Sequence, residues 1–152
     1  MSLLLASENN TSTASTDQYD PGRLSHPARA VAVETVSLFS IGVSDFAGVL
    51  ACYAPDARIW HNTDRREETP AENVRSLAAS GTRVVDRVYA DRRLAVFPTG
   101  FVQEHVLRGT RVHDAVTVEL PACLVAEVHD GRITRLDGYF DSASVAEFAK
   151  YA

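Results

Sequence analysis

The chain has 152 residues, the length of one domain, and 45% of them are hydrophobic, enough to bury a core. Its formal net charge of -5 argues against nucleic acid or an anionic membrane as the main partner. No apolar run approaches the ~20 residues of a membrane span, and Leu3, Leu4 and Leu5 make too short a core for a signal peptide and lack a basic flank, so a cytoplasmic protein is expected.

Residues 1–24 are rich in Ser, Thr, Asn and Asp without periodicity and read as a disordered tail. Residues 25–152 read as a single domain. Ser25 can cap a helix starting near His26 and Pro27, with Val36, Phe39 and Val43 in its apolar stripe and Gly42 as a stop. Ser44 or Asp45 then caps a second helix, in which Phe46, Val49, Leu50 and Tyr53 recur at helical spacing. Pro55 closes that helix, because proline disfavours helix at the residue before it. A short strand follows. Ile59 and His61 alternate there with Arg58, Trp60 and Asn62, so the two sets point to opposite faces.

Thr63–Glu68 reads as a charged, solvated loop. Thr69-Pro70-Ala71-Glu72 is a strong helix start: a threonine cap, proline at the first helical position and glutamate three residues after the cap. Val74, Leu77 and Ala78 supply its inner face, and Gly81 ends it. From Thr82 the period becomes strand-like, with Val84, Val85, Val88 and Tyr89 in one run and Leu94, Val96 and Phe97 in its continuation. Asp91, Arg92 and Arg93 fit either a turn or a bend. Pro98-Thr99-Gly100 is a turn and Phe101–Arg108 the return strand. Arg111–Ala115 reads as a loop and Val116–Val128 as a strand, with Pro121 a place for irregularity. Asp130-Gly131 is the best hairpin turn in the chain. Ile133–Phe140 completes the sheet and Ala143–Tyr151 closes the chain as a helix. Cys52 and Cys123 fall in apolar segments without metal or redox spacing, which favours buried free thiols over a disulfide. The expected architecture is α+β: three helices on one face of a strongly curved antiparallel sheet, a cone that can enclose a small apolar ligand.

Several of these segments carry a likeness. Tyr53-Ala54-Pro55-Asp56-Ala57 leading to Trp60-His61-Asn62, Thr69–Leu77, Phe101–Thr110 and Asp130–Asp141 together resemble the SnoaL-like branch of the NTF2-like superfamily, the ketosteroid isomerase-like α+β cone. The likeness covers residues 27–148. It implies the fold more than the reaction, since that superfamily hosts isomerases, cyclases, hydrolases, dehydratases and binding proteins.

Limonene-epoxide-hydrolase-like members carry Arg-x-Asp on the strand matching 101–109 and an Asp before the final Tyr-Phe-Asp. This chain has His105-Val106-Leu107 and Gly138 there, so both carboxylates are missing. The same comparison sets His61 where those enzymes have an active-site asparagine. Ketosteroid-isomerase-like members place an aspartate base five residues after the Asp of the Asp-Ala step, which again is His61 when counted from Asp56. Their oxyanion partners, a first-helix tyrosine and a buried protonated aspartate, fall near Ser37 and in Ala122–Leu124, so both are missing. That argues against steroid-isomerase chemistry in its usual arrangement.

The resemblance thus points His61 and His105 into the cone as a base and an acid or orienting group, a role suited to imidazole near neutral pH. Gln103, on the face of His105, and Asn62 serve as polar anchors. Trp60 is set at the mouth, and Ile59, Leu107, Leu124 and Phe140 form the apolar lining. Glu119 precedes Pro121 and turns inward only if the strand is irregular there. Asp137 alternates with Gly138 and so faces away from any pocket that Gly138 faces. No ligand spacing supports a metal, and none is expected. The function implied is cofactor-free acid/base chemistry on a hydrophobic, oxygenated ring compound such as a polyketide or terpenoid: isomerisation, cyclisation, dehydration or hydrolysis. The rivals are a non-catalytic binding module with the same pocket and a dimeric interaction protein. A homodimer through the sheet is expected, because strands 84–97 and 116–128 carry apolar residues on both faces and helices cover only one.

Overall fold

The computed structural model describes residues 45–151. The expected tail and the expected helix carrying Val36, Phe39 and Val43 lie outside the described residues.

Helix α1 (Phe46–Ala51) is capped by Asp45, whose carboxylate accepts from the Gly48 N–H at 2.8 Å. It is shorter than its spacing predicts. The Cys52 N–H closes on the Val49 carbonyl at 3.2 Å, and strand β1 (Tyr53–His61) begins at once. Tyr53 is therefore a buried strand residue, and Leu50 is 38% exposed. Pro55 requires only an extended predecessor, a condition met inside a strand. It lies in the irregular stretch between Tyr53 and Arg58, where the ladder with β6 lapses and a missing N–H costs nothing. The Tyr53 hydroxyl is buried and has no partner among the described residues.

Strand β2 (Glu67–Glu68) replaces part of the expected loop, pairing Glu68 with Ile59 and Glu67 with Trp60. Helix α2 (Pro70–Gly81) starts as expected. The Thr69 side chain accepts from the Glu72 N–H, and the Glu72 carboxylate accepts from the Thr69 N–H at 2.7 Å. Strand β3 (Val84–Phe97) then runs unbroken through Asp91–Arg93. It contains two bulges, at 85–88 and 90–93, with Asp86 and Asp91 at φ of 52° and 51°. Aspartate tolerates this left-handed conformation better than most residues. Each bulge inserts one extra residue and switches which side chains face inward.

Strand β4 (Gly100–Arg111) alternates regularly in burial along its length. Strand β5 (Thr117–His129) keeps its register across Pro121 and shifts only between Glu127 and Val128. The β6 ladder begins at Ala122, so Pro121 has one neighbouring strand where an interior residue has two. Asp130 and Gly131, at φ of 48° and 72°, make the hairpin turn into β6 (Arg132–Phe140). Helix α3 (Ser142–Phe148) is capped by Asp141. It is held by Arg111, a buried strand-end residue that donates to the Glu147 carbonyl at 2.6 Å and grips the Asp114 carboxylate through two bonds.

The sheet has six strands in the order β2-β1-β6-β5-β4-β3. It is mixed, not wholly antiparallel: β1 and β6 run parallel, which places His61 beside Gly138. The core lies between one sheet face and the helices. Ile59, Phe101 and Ile133 are 0–1% exposed, each contributing ~1.5–3 kcal/mol by burial. Cys52 joins this core and forms no disulfide, whereas Cys123, expected to be buried, is only half-buried. No helix among the described residues is long and apolar enough to cross a membrane.

Candidate functional site

A cavity of about 200 Å³ opens between α2, α3 and the inner face of the sheet. Leu107, Leu120, Leu124, Leu136, Phe140 and Phe148 supply its apolar wall. Its polar groups are His61, His105, Tyr89, Arg87, Asn73 and Ser80. It adjoins a polar groove of about 520 Å³ that shares His61, Asn73, Leu77 and Ser80 and continues past Asp64, Glu67, Glu68 and Glu72.

His61 ends β1 and stands over Gly138. A Cβ at Gly138 would lie 2.6 Å from His61 Cδ2 and 2.9 Å from Phe140 Cε2, so only glycine admits both rings at this point. The His61 and Phe140 rings meet edge to face, with centroids 5.3 Å apart. On its other side His61 Nδ1 lies 3.4 Å from Glu68 Oε1, which also accepts from Asn73 Nδ2 at 3.1 Å. The β1–β2 pairing sets Glu68 diagonally across from His61, on the same face. Burial holds the His61 pKa below its ordinary value, although Glu68 and Asp64 pull the other way. Desolvation wins because it opposes the charged ring directly, while both carboxylates are accessible to water. At pH 7 the ring is neutral. Its Nε2 has no partner among the described residues.

His105 sits mid-strand in β4, 6% exposed, with its pKa pushed down to about 4 by burial and by the Arg92 charge. Gln103, two residues earlier on the same face and 1% exposed, donates from Nε2 to His105 Nδ1 at 3.1 Å. In that arrangement the imidazole proton is on Nε2. The Tyr89 ring lies edge-on to His105, 5.0 Å between centroids. With that tautomer His105 presents an N–H at Nε2, and its low pKa favours the neutral ring.

Of the residues singled out by sequence, His61, His105, Leu107, Leu124 and Phe140 line the cavity together. Four do not. Ile59 is wholly buried in the core beneath it. Gln103 lies behind His105 and spends its amide N–H on that ring, while its Oε1 is buried with no partner among the described residues. Asn62 binds the Phe140 backbone at both ends of its amide, at 2.9 and 3.0 Å, and so splices β1 to β6 and is no ligand anchor. Trp60 is on the opposite sheet face, against Tyr139 at 5.6 Å, because its strand position is out of phase with His61. Glu119 also faces outward, accepting from Arg108 Nε at 2.6 Å. Asp137 pairs with Arg135, away from the cavity, as its alternation with Gly138 requires.

Sequence reasoning missed Glu68, Asn73, Arg87 and Tyr89. Glu68 was assigned to a solvated loop, and Arg87 sits inside an apolar run whose phase is reset by a bulge. The available signal was Asp86, a residue suited to positive φ between two valine-containing segments.

The chain matches no family model and no curated protein. Solved structures do match. An NTF2-like protein of unknown function from Burkholderia pseudomallei is 20% identical with a TM-score of 0.70, over 82% of this chain and 98% of that one. A candidate polyketide cyclase from Xanthomonas campestris is 21% identical with a TM-score of 0.68, over 81% and 97%. TerC, co-crystallised with polyporic acid, is 19% identical with a TM-score of 0.67, over 80% and 97%. Likeness at this identity concerns the backbone, and on that ground the fold of the chain is the NTF2-like fold that SnoaL-like and ketosteroid isomerase-like proteins share.

Proposed function

We propose that the cavity binds a small oxygenated ring compound and that His61 removes a proton from it. The observation that carries this reading is the His61–Glu68 pair. A neutral imidazole has one nitrogen beside a carboxylate and the other unpartnered, at the wall of an apolar cavity. Glu68 steadies the ring with its proton on Nδ1, and Asn73 steadies Glu68. The basic lone pair is then on Nε2. His105 offers an N–H from a second strand of the same cavity, suited to a carbonyl oxygen that gains charge as the proton leaves. Enolisation by this route serves isomerisation, aldol-type cyclisation or dehydration and calls on no cofactor. Candidate polyketide cyclases among the structural neighbours, and the polyporic acid in TerC, agree with a ring ligand bearing oxygens.

The probe that fits this size is 2-tetralone, a bicyclic ketone with acidic α-protons. Wild-type protein is expected to speed exchange of those protons into D2O beyond an equal concentration of imidazole, and His61→Ala to lose the excess. Binding of 2-tetralone without faster exchange would instead leave a non-catalytic binding module. Exchange undiminished in His61→Ala would exclude His61 as the base.

A further inference from the structure

We propose that Arg87 is an anion-binding residue, and that the ligand of this cavity carries a carboxylate or an ionised enol or phenol oxygen directed at the α2–β3 end. This deepens the reading above and rests on it.

The argument starts from the backbone. Val84 faces inward and is 1% exposed, and regular alternation would turn Asp86 inward and Arg87 outward. The bulge between Val85 and Val88 adds one residue against β4, so Arg87 and Tyr89 turn to the cavity and Val88, 58% exposed, turns to solvent. Two glycines clear the path of the side chain. A Cβ at Gly81 would stand 2.6 Å from Arg87 Nη2, and one at Gly109 would stand 3.2 Å from Arg87 Cγ. Arg87 Nη1 donates to Ser80 Oγ at 3.1 Å, and that hydroxyl is itself donated to the Leu77 carbonyl at 2.8 Å.

Among the described residues, this one neutral contact is all the guanidinium has. No carboxylate pairs with it among the described residues, whereas Arg93, Arg108, Arg111 and Arg135 all have carboxylate partners. Burial disfavours its charged form. A half-buried cation beside leucine and phenylalanine side chains, held by a single serine, is an incomplete pair. Guanidinium presents a planar fork of N–H donors that matches two-oxygen anions, and most of that fork is unspent here. A ligand carboxylate or enolate would complete it. The same charge would favour an enolate formed at His61.

The test compares 2-naphthoate with 2-naphthamide, which share shape and size and differ in charge, by isothermal titration against the wild-type chain and Arg87→Gln. Glutamine keeps a donor for Ser80 and removes the charge. Wild type is expected to bind naphthoate about tenfold or more tightly than naphthamide. Arg87→Gln is expected to abolish that difference. Equal wild-type affinities would overturn the inference while the cavity reading stood, and this comparison needs no variant to fold. A naphthoate preference that survives in folded Arg87→Gln would also overturn it. Binding of neither compound would overturn the cavity reading, and the inference with it.

Discussion

His61 Nδ1 and Glu68 Oε1 lie 3.4 Å apart across the β1–β2 hairpin, a carboxylate–imidazole pair at the junction of an apolar cavity and a polar groove. The pair exists because the chain turns tightly after His61. The Arg65 N–H bonds the His61 carbonyl at 2.9 Å, Arg65 takes a φ of 58°, and the returning strand brings Glu68 back over the ring. The first prediction concerns its electrostatics. Glu68→Gln removes an interaction that raises the His61 pKa, so that pKa should fall further below its ordinary value. The acid limb of the 2-tetralone exchange profile should move to lower pH, and the plateau rate should drop as the ring loses its orientation. Following the His61 ring protons by NMR checks the first effect, and an unmoved titration would remove Glu68 from the positioning role.

The pH dependence of stability follows from His105. Its folded pKa of about 4 is below the ordinary value of 6.5, so the unfolded chain binds more protons between those values. Stability from this group is fully present above about pH 6.5 and is lost as pH falls towards about 4. The full effect is roughly 3–4 kcal/mol at ~1.4 kcal/mol per unit. Thermal unfolding from pH 7 down to pH 4.5 should show a steep fall in Tm. His105→Gln should flatten it, and an equal slope in that variant would show that other groups govern acid unfolding.

Gly138→Ala tests the packing over which His61 is built. The added methyl would stand 2.6 Å from His61 Cδ2 and 2.9 Å from Phe140 Cε2, so one ring must move. A loss of about 1–3 kcal/mol in urea unfolding is expected, together with loss of exchange activity in protein that remains folded. Wild-type stability and activity in this variant would mean that the rings relax freely.

The outer face of the sheet carries the oligomer prediction. Tyr139 is 45% exposed and packs on Trp60, and the half-buried Cys123 and Val125 lie on the same face. Such a patch on a sheet whose other face is already covered is expected to pair with a second copy. Sedimentation velocity at micromolar concentration should give a dimer, and Tyr139→Glu a monomer. A monomeric wild-type chain would end this reading.

Local patterns in the sequence carried further for elements than for the site. The Thr69–Glu72 capping box, the Asp130-Gly131 turn and the even alternation of β4 are decided by neighbours within a few residues, and they are where the sequence puts them. His61 and His105 were legible as inward-facing for the same reason, since strand alternation is local once a neighbouring apolar residue marks the core side. Tyr53 was misplaced because Pro55 forbids a helix without dating its end.

What the sequence determined by itself was therefore the order of the elements from Phe46 onward apart from β2, the likeness to an NTF2-like chain and the two imidazoles. Tertiary structure alone decided the rest. The parallel β1–β6 pair, which puts Gly138 under His61, joins strands some 75 residues apart in sequence, and no local pattern encodes such a pairing. The β2 pairing turned an apparently solvated Glu68 into the partner of His61. The bulge at Val85–Val88 reversed the facing of Arg87, because one extra residue shifts the side chains that follow, up to the second bulge, to the other side of the strand, and only pairing with β4 reveals that residue.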